Sequence, residues 1–177
     1  MKTIIAENYL CFLALFELII QDVTKEESIT QQYLAEYFGI TVPKKYATAI
    51  KNVKYSNSER DWGVHVDEIQ LNAFCESTGV PLHIHFEVAN PYAENDIDEY
   101  ENAHLRDGKY MIYTYSYGVL NNMPQMYNIG HASLLDRVVA KDVIRIYDPG
   151  PKNPGYKEVS RHDLYDAMNA IRGGIYI

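Results

Sequence analysis

Three residues in this chain have the types and settings that cysteine chemistry needs. Cys11 lies in NYLCFLALFELIIQD, at the front of an apolar run, while His131 opens GHASLL and Asp148 closes IRIYDPG much further along the chain. A thiol that attacks as thiolate, an imidazole that accepts its proton and a carboxylate that orients the imidazole are the working parts of a cysteine hydrolase. A free thiol ionises near pH 8.5, and a helix N-terminus beside an imidazolium is the usual way to bring that value down.

The elements around these residues have to position them. Asn8 has the chemistry of an N-cap for a helix over residues 9 to 22, which puts Cys11 at the third helical position, among the amides of the first turn. Strands at 131 to 139 and 143 to 148, joined by Ala140-Lys141-Asp142, form a hairpin. With the turn there, residue 131 faces about residue 150, so Asp148 falls within a residue or two of His131 on the neighbouring strand. Pro149 and Gly150 then end the strand and fix the carboxylate at its tip. Each residue also has an ordinary reading: a buried structural thiol, a strand histidine, and the first residue of an Asp-Pro-Gly turn. The catalytic reading rests on all three together.

The remaining chain reads as an α+β domain, helices first and an antiparallel meander later. The first helix is apolar on nearly every side, as expected of a central helix packed on a sheet. A second helix starts at Ser28 or Thr30, shows Tyr33, Leu34, Tyr37 and Phe38 as its stripe, and stops at Gly39. Asp67 to Ser77 is a third helix, ended by Gly79. Residues 44 to 64 carry no decisive pattern. Pro81 to Val88 reads as a strand, and 87 to 108 as an exposed acidic insertion with seven acidic residues against Arg106, helical from Asp96 to His104. Lys109 to Tyr115 alternates as a strand, a tyrosine-rich loop spans 116 to 129, and Ser160 caps a last helix running to about Ile171. No repeat or linker divides the chain, so residues 1 to 177 are expected to form a single domain.

Composition narrows the function classes. The chain has 177 residues, 47% of them hydrophobic, and a net charge of −8, which repels phosphate backbones and anionic lipid. Nucleic acid and membrane surfaces are therefore poor partners, and a peptide or protein substrate is the expected one. Nothing in the pattern specifies an oligomeric state. The apolar run after Cys11 is interrupted by Glu17 and is shorter than the roughly 20 residues needed to span a bilayer, so it reads as a buried helix and the chain as cytoplasmic. Cys75 sits mid-helix and is assigned to the core; both thiols are read as reduced. His83 and His85 share one strand face but have no third ligand at a recognisable interval, so no metal and no cofactor is expected. Among the 16 tyrosines, Tyr117 and Tyr127, with Tyr113 and Tyr115 before them, are candidates to line a substrate groove.

The order of a cysteine at a helix start, ITQQYLAEYFGI, GHASLL, IRIYDPG and VSRHDLYDAM resembles the papain-like cysteine peptidases that remove double-glycine leader peptides, including those that process bacteriocins. The resemblance covers most of the chain apart from 44 to 64 and 87 to 108. It implies a papain-like fold, with Cys11 as nucleophile, His131 as general base and acid, and Asp148 as orienter. Two positions depart from the family pattern. Ile5 stands where the family has a glutamine that helps form the oxyanion hole, which leaves Asn8 as the nearest side-chain amide for that task, together with the Cys11 backbone N–H. Phe12 stands where glycine is usual. Hydrolysis, acyl transfer through the same triad, and an inactive binding module that keeps the fold are the three outcomes these residues leave open.

Overall fold

A computed structural model describes residues 3–88 and 97–177. The chain forms two compact units, Met1–His85 with Pro149–Asn153, and Phe86–Asp148 with Pro154–Ile177.

The first unit is built around helix α1, Cys11–Thr24, whose residues Phe12 to Ile20 are all buried. A helix apolar on every side must be enclosed, and the sequence pattern expresses that directly. The one charge in this stretch, Glu17, is only 7% exposed. It persists there because its carboxylate accepts from the Gln21 side chain at 2.9 Å and from the Gln31 backbone N–H at 2.8 Å. Helix α2, Gln31–Phe38, begins where Thr30 Oγ1 accepts from Tyr33 N–H at 3.2 Å and ends at Gly39. Strand β1, Ile40–Pro43, then pairs in parallel with β2, Val53–Ser56, and of the two only β2 lies inside residues 44 to 64, whose sequence carries no clear pattern. Helix α3, Glu68–Thr78, opens with a full capping box between Asp67 and Gln70 and closes on Gly79 in the left-handed region, with φ of 73°. Phe74 of α3 is the aromatic centre of this unit, with the rings of Phe16, Tyr33, Tyr37 and Phe38 packed around it.

The second unit is a six-stranded antiparallel sheet with helices. In chain order its elements are β3 Phe86–Val88, α4 Ile97–Arg106, β4 Ile112–Ser116, α5 Tyr117–Leu120, β5 Gly130–Ala140, β6 Val143–Asp148, β7 Gly155–Ser160, α6 Arg161–Ile171 and β8 Gly174–Tyr176. The strands lie in the order β3-β8-β4-β5-β6-β7. Helix α6, capped by Ser160 as its sequence suggests, contributes Leu164, Ala167 and Met168 to a core shared with Tyr113, Ile144 and Ile146.

Several boundaries differ from the sequence reading. Helix α1 starts at Cys11, not at residue 9, because Asn8 and Tyr9 are spent in a turn closed by Leu10 N–H on the Glu7 carbonyl at 3.1 Å. Residues 81 to 85 are not strand; pairing begins at Phe86, where β8 arrives as a partner. The acidic insertion is not exposed throughout. Its described part includes Glu101, fully buried, which accepts from Tyr113 OH at 2.6 Å and from Arg161 at 2.7 Å. A buried carboxylate needs such partners, and they anchor α4 to β4 and α6. Burial, then the Glu101 charge, pushes the Tyr113 phenol well above its usual range. The insertion's residues 89–96 lie outside the described residues. Among the described residues no helix is long and apolar enough to cross a membrane.

Candidate active site

The approach to Cys11 is held by three kinds of contact. Gln31, buried at the start of α2, reaches back to the incoming chain: its side-chain oxygen accepts from Glu7 N–H at 2.8 Å and its amide donates to the Ile5 carbonyl at 3.1 Å. Ala6 N–H donates to the Pro149 carbonyl at 2.7 Å. Tyr9 then takes φ of 69°, unusual for a bulky residue, and its ring meets Tyr46 and Trp62 edge-on at 5.0 and 5.9 Å. Such a conformation costs about 1–3 kcal/mol and persists only where the surroundings impose it. Here the two rings pack against it, and the Tyr9 phenol is raised from its ordinary pKa, chiefly by burial and then by Tyr46.

Immediately after this turn, Cys11 is the first residue of α1 and is half-buried. It is therefore nearer the helix end than the expected third position, where the positive pole of the backbone dipoles is strongest. Leu10, not Asn8, is the N-cap, and it supplies no side-chain cap. Asn8 is exposed at the corner of the turn. Phe12 is 8% exposed, and its ring stacks on Phe16 one turn along the helix, 6.4 Å away. The side chain that replaces the expected glycine thus joins the core packing.

In the second unit the hairpin brings two of the expected residues together. β5 and β6 pair Leu134 with Tyr147 and Leu135 with Ile146. Continued one step, that register sets Asp148 across from Ser133 and leaves His131 on the adjoining diagonal of the same face. His131 Nε2 donates to Asp148 Oδ1 at 2.7 Å, with the His131 side chain 10% exposed and the Asp148 side chain 5%. That bond fixes which imidazole nitrogen carries its proton. Two rings steer the imidazole edge-on: Tyr115, its partner across β4 and β5, at 5.6 Å, and Tyr117 from α5 at 5.2 Å. Tyr115 is itself tied to Ser133 at 2.8 Å. Tyr117 depends on a close approach behind it, since a Cβ on Gly118 would come within 2.4 Å of the Met126 backbone. Of the proposed groove residues, Tyr117 is therefore against the imidazole, and Tyr127 is 44% exposed on the loop.

Three contributors lie outside the sequence expectations. Lys157 on β7 donates to the second Asp148 oxygen. Gln31 and Glu17 fix the chain ahead of the thiol. A glutamine at a helix start and a glutamate inside an apolar run were visible signals; the lysine had none. His83 and His85 are exposed, and His85 pairs with Glu68 at 3.1 Å. Among the described residues no group of three or more histidine, cysteine, aspartate or glutamate side chains could hold a metal. Cys75 is 1% exposed, and burial pushes its thiol up to about 11.

No sequence profile of a known protein family matches the chain, and no curated protein matches it in sequence. Among solved structures it is similar to one from Bacillus anthracis described provisionally as a C39-like peptidase, with a TM-score of 0.61 and 13% identity, covering 99% of this chain and 92% of that one. The likeness establishes the fold, which is α+β and papain-like.

Proposed function

We propose that this chain is a cysteine hydrolase that cleaves a peptide or related amide bond through an acyl-enzyme, with Cys11 as nucleophile and His131–Asp148 as its proton-handling pair. The observation that carries the reading is the 2.7 Å bond between His131 Nε2 and Asp148 Oδ1. It leaves proton exchange to Nδ1 and stabilises the imidazolium that forms when the thiol gives up its proton. The Cys11 sulfur adds to the substrate carbonyl, the imidazolium returns its proton to the departing amine, and water repeats the sequence on the thioester. The Cys11 backbone N–H serves the developing oxyanion, with Asn8 as the second donor in this reading. The similarity in fold to a chain described as a C39-like peptidase supports the assignment.

Alkylation with iodoacetamide at neutral pH tests it. Cys11 is expected to react far faster than Cys75, and the advantage is expected to shrink in His131→Ala. Equal, slow modification of both thiols sinks the proposal. Cleavage of a broad peptide library by the parent and not by Cys11→Ala then defines the substrate, and adding an amine acceptor separates hydrolysis from acyl transfer.

A second reading, a binding module without turnover, draws on Ile5, which carries no donor and is 56% exposed at the position of the family's glutamine. That module would retain peptides on a Cys11→Ala column and release them uncut from the parent.

A further inference from the structure

The carboxylate that orients His131 is shared. Asp148 gives one oxygen to the imidazole and the other to the Lys157 ammonium. The sheet register makes this reach possible. On β7 the residue directly across from Asp148 is Gly155, and Lys157, across from Ile146, lies on the next position of the same face. Gly155 carries no side chain, and Lys157 reaches the carboxylate from that diagonal position on the same face. Lys157 remains 33% exposed while the Asp148 side chain is 5% exposed, so a cation rooted at the surface delivers its head to a buried anion.

We propose that Lys157 is a positioning residue that, through Asp148, lowers the proton affinity of His131. The inference rests on His131 being the proton carrier of the proposed reaction. Without Lys157, a protonated imidazole beside Asp148 forms a neutral pair. With it, the same protonation leaves a net positive cluster in a largely buried place, which disfavours the imidazolium. Neutral imidazole is then available as a base at lower pH. The ammonium also fixes the carboxylate at both oxygens, so its rotation cannot release the Nε2 proton. Among the described residues of this unit, the groups facing the imidazole include Asp148 from β6, Tyr115 from β4 and Tyr117 from α5, with Lys157 behind the carboxylate from β7. Only Lys157 among these carries a positive charge.

The experiment is an NMR titration of the His131 ring in the full chain, carried out in Cys11→Ala so that thiol ionisation does not enter. Lys157→Met is expected to move the His131 titration to higher pH, and Lys157→Arg to restore it, with Lys157→Gln as the second neutral variant should the methionine form fold poorly. In an Asp148→Asn background the same lysine substitution is expected to lose most of its effect, because no carboxylate then draws the surface-rooted ammonium to the buried imidazole. An unchanged or downward shift in both neutral variants overturns the proposal, as does an equal shift with Asp148 already replaced. The result is independent of turnover. A protein without hydrolytic activity that shows the shift loses the proposed reaction and keeps the lysine's role, while an active protein without the shift does the reverse.

Discussion

Cys11 and Cys75 carry the same functional group in opposite surroundings. Cys75 lies inside a regular helix with a complete capping box, beside the most heavily packed ring of its unit, and burial alone drives its thiol up to about 11. Cys11 stands half-buried at the first position of a helix with no side-chain cap, behind a tyrosine at positive φ and a segment stitched down by Gln31. Regular structure protects a thiol by removing it from water. A break in regular structure, held in place by distant partners, presents one.

The largest expected effect on that contrast is in activity. Cys11→Ser is expected to lower the hydrolysis rate by at least about 10³-fold, whereas Cys75→Ala leaves it within about threefold, by initial rates on a cleaved library peptide. The reverse pattern would invert the comparison. Stability is expected to run the other way: Phe74→Ala, next to Cys75, costs about 3–5 kcal/mol, and Cys11→Ala about 1 kcal/mol or less, read from denaturant midpoints.

The third expectation concerns alkaline pH. Because burial raises the folded-state value of Cys75 to about 11, its stabilising contribution is complete below the free-thiol range and is lost as pH rises toward 11. Cys75→Val is expected to flatten that part of the stability profile, and an unaltered slope would assign it to other groups. The smallest effect is local. Asp67→Ala removes one half of the capping box ahead of Cys75 and is expected to cost about 1 kcal/mol, with no change in the alkylation rate of Cys11.

What sequence pattern reveals here follows the range over which each interaction acts. The β5–β6 hairpin turns in place, so its register, and with it the meeting of His131 and Asp148, could be worked out from turn position alone. Thr30, Asp67 and Ser160 cap their helices through residues three positions away; Ser160 is legible as a cap, Thr30 is one of two candidates with Ser28, and Asp67 reads as the first helical residue and not as the cap it forms. The start of α1 is not legible. Asn8 has the right chemistry for a cap, but whether the chain turns at Asn8–Tyr9 depends on rings at 46 and 62 that hold Tyr9 in its unusual conformation. The parallel pairing of β1 with β2 and the shortening of the 81 to 88 strand likewise depend on partners far away in the chain. Lys157 is illegible in the sequence for a related reason. A long side chain is free to address many neighbours, and it is the β6–β7 register, one diagonal from Asp148, that offers the carboxylate to it.

The five residues Pro149–Asn153 belong to the first unit although the chain on both sides belongs to the second. Neither unit is thus a continuous stretch of polypeptide, and no single cut yields both intact. A fragment ending at His85 would leave Ala6 N–H without the Pro149 carbonyl it donates to, five residues ahead of the thiol. During synthesis the segment before Cys11 must also wait, unsecured at that point, until most of the protein has been made.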